Sequence, residues 1–286
     1  MAKSDGLSAR TRSNGVYARA VAAAGLVALG MAALWIGFWG VAAVSVAATA
    51  LMAWEYGRLW SGKIGAKLAW DVFGVAGVLA AYAALGGQYP AYWFAGGYVA
   101  LFCVSVVANV ASDRKRWLLE SMAPIYIGLA MLGFMYIYRS AGIYSIIYAF
   151  VITVSTDTGA YFIGCALGGP KLMPAVSPNK TWSGALGGLM CAFAAGTAYK
   201  MALLWSLGGE GFSSVCVWAV ASVGLALLSE IGDLVESKMK RVAGVKDSSG
   251  MIPGHGGVLD RFDSMLFVAP ALALLIAFTK IGYTGL

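Results

Sequence analysis

The stretch Ser213-Ser-Val-Cys-Val-Trp-Ala-Val-Ala-Ser-Val-Gly-Leu-Ala-Leu-Leu-Ser229-Glu230-Ile-Gly-Asp233-Leu-Val-Glu236-Ser237 decides the fold class. Coiled as a helix rising ~1.5 Å per residue, it can cross a hydrocarbon core ~30 Å thick. Its last third carries three carboxylates. A charge at the bilayer centre costs about 2.5–3.5 kcal/mol, so these groups must line a wet cavity, meet cations or hold a metal. The bland alternative is a row of interfacial residues that snorkels to water.

Comparable apolar runs fill the rest of the 286 residues, of which 60% are hydrophobic and 12% charged; the mean hydropathy is +0.77. Soluble domains carry about 25% charged residues. Ten-residue alternating segments of the barrel type are absent. An all-α, polytopic membrane protein is predicted. Its nine apolar spans fall at roughly 17–34, 38–56, 68–85, 92–110, 118–137, 142–166, 181–205, 213–237 and 259–281. A tight turn near Gly37–Gly40 is expected to separate the first two. A cleaved signal peptide is not expected, because its apolar region would be shorter. Spans one to five (1–140) form one region and spans six to nine (141–286) a second, which bears the polar motifs.

The basic residues test this layout. The N-terminus (Lys3, Arg10, Arg12, Arg19), then Arg58, Lys63, Lys67, Arg114, Lys115, Arg116, Lys171 and Lys180 fall on one side. Lys238, Lys240, Arg241, Lys246 and Arg261 join them in a C-terminal loop, leaving only Arg139, Lys200 and Lys280 opposite. That bias marks the basic side as cytoplasmic. It also explains the net charge of +7 through topology and anionic lipid, without nucleic acid. The four cysteines sit singly in apolar segments, outside any zinc or disulfide pattern.

Loops 166–180 and 238–258 then emerge together. Span six ends in Ser155-Thr-Asp157-Thr-Gly-Ala-Tyr161-Phe-Ile-Gly164. Asp233, Ser237 and Lys240, at i, i+4 and i+7, share a helix face; Glu230 can join it and Glu236 lies beside it. Ser177 before Pro178 reads as an N-cap with proline at the first helical position. Free N–H groups there, with Lys180 and Thr181, would form a phosphate site; an ordinary loop-to-helix start fits the spacing equally well. Gly184 and Gly188 form a GxxxG pair suited to close helix packing. Asp260 and Asp263, three apart, can project from one face, and with Asp233 can gather Mg²⁺, which takes oxygen ligands. His255, the only histidine, is either an acid or base against substrate or a residue that fixes its Gly-rich turn.

The run from Ser237 through Lys240-Arg241, Lys246-Asp247, Pro253-Gly-His-Gly-Gly257 and Asp260-Arg261-Phe-Asp263 resembles the hallmark motif of phosphatidate cytidylyltransferases, the CDP-diacylglycerol synthases. Asp157-Thr-Gly-Ala-Tyr-Phe-Ile-Gly164 and Ser177-Pro-Asn-Lys-Thr-Trp182 are similar to that family's upstream motifs. The resemblance covers residues 150–265 most closely. It implies that CTP and phosphatidate give CDP-diacylglycerol and pyrophosphate with Mg²⁺ and room for a second cation. It also implies membrane helices around a cytoplasm-facing polar cavity, a homodimer, and contact with membrane lipids; a bacterial inner membrane is the expected location. By motif position Asp233 and Asp260 are the metal ligands, with Asp263 and Asp157 behind them. Lys180, Lys240, Arg241, Lys246 and Arg261 hold phosphates, and Ser177 and Ser237 orient oxygens. Two other readings stay open: a CTP-dependent lipid kinase, which would release CDP, and a secondary transporter, which would place its site near the midplane and often show an internal repeat.

Overall fold

The computed structural model describes residues 21–61, 66–112, 116–207, 212–252 and 256–279. They form an all-α bundle with one small hairpin. Helix α1 (Val21–Ile36) is followed by α2 (Phe38–Ser61), α3 (Ala66–Leu85), α4 (Ala91–Ala111) and the short α5 (Trp117–Ser121). A π-helical turn (Pro124–Gly128) leads into α6 (Leu129–Leu167). Then come β1 (Lys171–Met173), β2 (Ser177–Thr181), α7 (Trp182–Leu207), α8 (Phe212–Ala243), α9 (Leu259–Phe262) and α10 (Met265–Thr279).

Among the described residues five helices are long and apolar enough to cross a membrane: Phe38–Trp60, Ala91–Ala111, Pro124–Leu167, Trp182–Ser206 and Val215–Ala243. Val21–Ile36, Ala69–Leu85 and Met265–Thr279 are shorter apolar helices. The expected turn between the first two spans is present at Gly37, whose φ of 87° ends α1. The expected fifth and sixth spans are joined in a single helical run. It bends at Gly142, whose φ of 71° and ψ of −173° lie in a region closed to residues with a Cβ.

Two apolar clusters hold the bundle. One gathers Tyr148, Ile152, Trp218, Val268 and Leu272 from α6, α8 and α10. The other gathers Met52, Tyr56, Leu79, Tyr98 and Met135 around α2, α3, α4 and the start of α6. An unmet donor in an apolar medium costs several kcal/mol, and two buried tyrosine hydroxyls are paired. Tyr98 Oη donates to Val75 O at 3.0 Å, and Tyr148 Oη lies 2.8 Å from Ser222 Oγ. Small residues bring α6 against α7. A Cβ on Gly164 would meet Gly184 Cα at 3.3 Å, and one on Gly188 would meet Thr156 O at 2.8 Å. The GxxxG pair is thus a packing surface.

Among the described residues, contacts of basic side chains are found towards both ends of the bundle. Near one end, Tyr56 Oη donates to Leu119 O at 2.6 Å and Arg116 lies over Trp60 at 5.9 Å. Near the other, Arg139 lies over Phe38 at 4.9 Å and Tyr82 at 5.9 Å, and Lys200 over Trp218 at 5.8 Å.

Two local expectations are corrected. Ser177 does not cap α7. It lies in β2, antiparallel to β1 with Met173↔Ser177 and Lys171↔Thr181 in register. Proline at 178 is tolerated there because an edge strand need not donate at every residue. Thr181 is the cap, its Oγ1 accepting from Gly184 N at 3.1 Å. Nor do Lys238, Lys240 and Arg241 lie in a loop: α8 continues to Ala243. It closes with Gly244 N donating to Arg241 O (3.1 Å) and Val245 N to Lys240 O (2.9 Å), the paired bonds of a Schellman motif.

Candidate functional site

The end of the bundle reached by α2, α6, the hairpin, α8 and α9 collects the polar residues. Helix α8 supplies its last three turns. Asp233 and Ser237 face the same way, Ser237 Oγ donating to Asp233 Oδ1 at 3.2 Å. From the hairpin, Lys180 reaches across to Asp233 Oδ2 at 2.5 Å. Both side chains keep about a quarter of their surface open, 27% and 28%. One turn on, Lys240 Nζ sits 2.5 Å from Glu236 Oε2 and 2.8 Å from Asp260 Oδ1. Here burial is deep: the Glu236 and Asp260 side chains are 1% and 5% exposed. Lys240 therefore links α8 to α9 through two desolvated carboxylates.

Asp260 is also the hub of the preceding loop. Its Oδ2 accepts from Ser248 N (2.9 Å), Ser248 Oγ (2.9 Å) and Gly257 N (2.8 Å). Gly256 has φ +78°, and a Cβ on it would lie 2.6 Å from Asp260 Oδ2. The glycines of this turn let the backbone wrap the carboxylate. Asp263 follows α9: its Oδ1 accepts from Ser264 N at 2.7 Å, and it lies in electrostatic reach of Asp233, Asp157 and Lys240. Asp260 and Asp263 thus have different hydrogen-bond partners, Asp263 following α9 with helical dihedrals of φ −45° and ψ −54°. Asp157 lies near Asp233, Lys180 and Arg261.

The sequence-predicted residues sort into three groups. Asp157, Lys180, Asp233, Ser237, Lys240, Asp260 and Asp263 come together. Arg241 is turned to the backbone, its Nε donating to Val176 O at 3.4 Å and its Nη1 to Val245 O at 3.3 Å; it ties the hairpin to the end of α8. Ser177, half-buried in β2, and the exposed Lys246 and Arg261 stand around the rim, while Thr181 is spent on the α7 cap. His255 lies outside the described residues. Among the described residues, no three His, Cys, Asp or Glu side chains converge in a cluster able to hold a metal ion by themselves.

Two carboxylates carry a signal that the motifs did not. Glu230 is buried against Gly188, where a Cβ would meet its Oε1 at 2.9 Å, and that oxygen has no hydrogen-bond partner. Glu55, in α2, is fully buried and accepts four hydrogen bonds from the 248–259 segment. Its sequence signal is one carboxylate in an otherwise apolar span.

The arrangement can hold polyanions: two lysines are fixed by carboxylates at a bundle end, ringed by further cations. Comparison with known proteins agrees with that chemistry. A phosphatidate cytidylyltransferase of Staphylococcus aureus (strain COL) is 45% identical over 159 residues, 54% of this chain and 57% of the relative. That of Staphylococcus haemolyticus (strain JCSC1435) is 43% identical over 157 residues, again 54% and 57%. That of Staphylococcus epidermidis (strain ATCC 12228 / FDA PCI 1200) is 42% identical over 186 residues, 63% and 68%. The matched stretch spans little more than half the length of the first two. The model of the cytidylyltransferase family matches residues 17–279, nearly the whole length, and the chain belongs to that family.

Proposed function

We propose that this protein transfers the CMP moiety of CTP to phosphatidate, giving CDP-diacylglycerol and pyrophosphate. The observation that carries the reading is the pair of carboxylate-held lysines, Lys180 on Asp233 and Lys240 between Glu236 and Asp260, in a chain whose relatives are named for this reaction. CTP is a soluble polyanion, whereas phosphatidate keeps its phosphate at headgroup level. A cationic site at the end of a membrane bundle suits both. The proposed layout has nine spans in a bacterial inner membrane, and the basic-residue bias supports a site that faces the cytoplasm. Association as a homodimer is part of the same proposal.

An ionised phosphatidate oxygen attacks the α-phosphorus of CTP. The bond from that phosphorus to the bridging oxygen breaks, and pyrophosphate leaves with the electron pair. Both reactants are anionic, so positioning and charge neutralisation supply most of the acceleration. Lys180 and Lys240 would turn from their carboxylates to the phosphates, with Lys246 and Arg261 meeting outer oxygens. Arg241 would keep the hairpin in place, and Ser237 would orient an oxygen beside Asp233.

The residues fit Mg²⁺, which is usually held by one or two carboxylates, with waters and substrate phosphates completing its shell. Supporting this, Asp233 and Asp260 each already bind a cation, the lysine ammonium. They would hold the metal, with Asp263 and Asp157 behind them for a second cation. Bound there, Mg²⁺ would neutralise charge on the phosphates. To test the proposal, detergent-purified protein is incubated with radiolabelled CTP and phosphatidate, with and without Mg²⁺. CDP-lipid plus pyrophosphate, formed only with the metal, is the expected result. Phosphorylated lipid plus CDP would instead mark a lipid kinase and overturn the reading.

A further inference from the structure

Glu55 is a carboxylate inside the membrane-spanning helix α2, and its relative exposure is 0%. Left alone there it would cost several kcal/mol. Its oxygens are instead met by four donors. Oε1 accepts from Ser249 Oγ at 2.5 Å and Val258 N at 3.0 Å; Oε2 accepts from Leu259 N at 2.7 Å and Ser248 Oγ at 3.3 Å. All four come from the segment that carries the end of the glycine-rich motif. The separations in sequence are 193 to 204 residues, so no local folding preference makes these bonds.

A chain of contacts runs on from there. Ser248 donates through N to Asp260, which holds Lys240, and its single hydroxyl proton is shared between Asp260 Oδ2 at 2.9 Å and Glu55 Oε2 at 3.3 Å. Gly257 closes the corner: a Cβ on it would strike Ser248 Oγ and come within 2.5 Å of Glu55 Oε1. That glycine is thus required by the approach of Glu55. The two ends of the 248–259 segment, Ser248–Ser249 and Val258–Leu259, are pinned on one carboxylate. Bonds to an ionised acceptor are roughly twice as strong as neutral ones, which suits a clamp of this kind.

We infer that Glu55 is a positioning residue for the reaction: from the N-terminal half of the chain it clamps the 248–259 segment and so sets the place of Asp260 and Lys240. The inference rests on the proposed cytidylyl transfer. Gln in its place keeps one acceptor but turns an N–H₂ donor toward N–H or O–H donors. A displacement near 1 Å at a reacting group can cost about 100-fold in rate.

The test compares full-length wild type, Glu55→Gln and Glu55→Asp in detergent. Steady-state kinetics, thermal melting and hydrogen exchange of residues 248–259 are measured on each. Glu55→Gln is expected to lower kcat about 10–100-fold, with KM for CTP and phosphatidate moving less than about threefold. Exchange should quicken in 248–259 above any change elsewhere. Glu55→Asp, which keeps the charge, should recover at least part of kcat. A Glu55→Gln kcat within twofold of wild type would overturn the inference; so would loss spread evenly over melting and exchange throughout the bundle. If Glu55→Gln does not fold, Ser249→Ala removes one donor without stranding a charge. It should quicken exchange in the segment and lower kcat several-fold, and wild-type behaviour would refute the clamp. If wild type itself makes no CDP-lipid, the proposed function fails, and the exchange comparison alone then decides whether Glu55 clamps the segment.

Discussion

Lys180 and Lys240 make ion pairs of the same length, 2.5 Å, in different surroundings, and this contrast yields a quantitative prediction. Lys240→Ala would leave Glu236 and Asp260, 1% and 5% exposed, facing each other without their cation. Breaking a buried pair by removing one partner costs about 3–5 kcal/mol. Lys180→Ala leaves Asp233, 28% exposed, with water and Ser237 as partners, where exposed pairs contribute about 1 kcal/mol or less. At about 2–4 °C per kcal/mol, Lys240→Ala should lower the melting temperature by about 6–20 °C and Lys180→Ala by at most about 4 °C. The assay is thermal melting of both variants in one detergent and salt. A Glu236→Gln change in the Lys240→Ala background should restore part of the loss, because it removes one of the two stranded charges. Equal melting temperatures for the two single variants would refute the reasoning. They would mean that water reaches Glu236 and Asp260 as freely as it reaches Asp233.

Other outcomes follow from the same contacts. Asp233→Asn and Asp260→Asn should each abolish turnover in Mg²⁺; near-normal rates from purified Asp260→Asn protein would remove Asp260 from the metal-binding pair. Thr181→Ala deletes the α7 cap and should cost about 1 kcal/mol, read by melting, whereas Ser177→Ala should not. Gly188→Val puts a side chain where Thr156 O and Glu230 Oε1 lie within 3 Å of the Cβ position. It should destabilise the α6–α7 contact by about 1–3 kcal/mol, and unchanged melting would show that the helices can part there.

The helical architecture and the gathering of the motifs were legible because they depend on chemistry written in continuous runs. Apolar length dictates a membrane helix, and alternating loops put Lys180 and Lys240 at one end. Shorter-range details were misread where two structures share one signal. Ser177-Pro178 fits a helix start, but it also fits an edge strand, and the pairing of Lys171 with Thr181 decides between them. The reach of α8 past Ser237 was hidden because Lys and Arg sustain a helix as readily as they decorate a loop. Asp260 and Asp263 have helical spacing, but only the tertiary fold shows that Asp260 is held by Ser248, Gly257 and Lys240 while Asp263 accepts from Ser264 N. Glu55 was not legible as a site residue. Near the end of an apolar span it resembles an interfacial side chain, and only the tertiary fold supplies its four donors.

That long separation also governs biogenesis. Val258 and Leu259 are made 203 and 204 residues after Glu55, so α2 first meets the membrane with its carboxylate facing neither of these donors. Until they arrive, Glu55 favours solvation by water or lipid headgroups over burial, which keeps α2 loosely seated. The late segment then relieves that cost and brings Asp260 to Lys240 in the same event. An incomplete chain therefore has neither a settled first half nor an assembled cation pair, so it is unstable and inactive together.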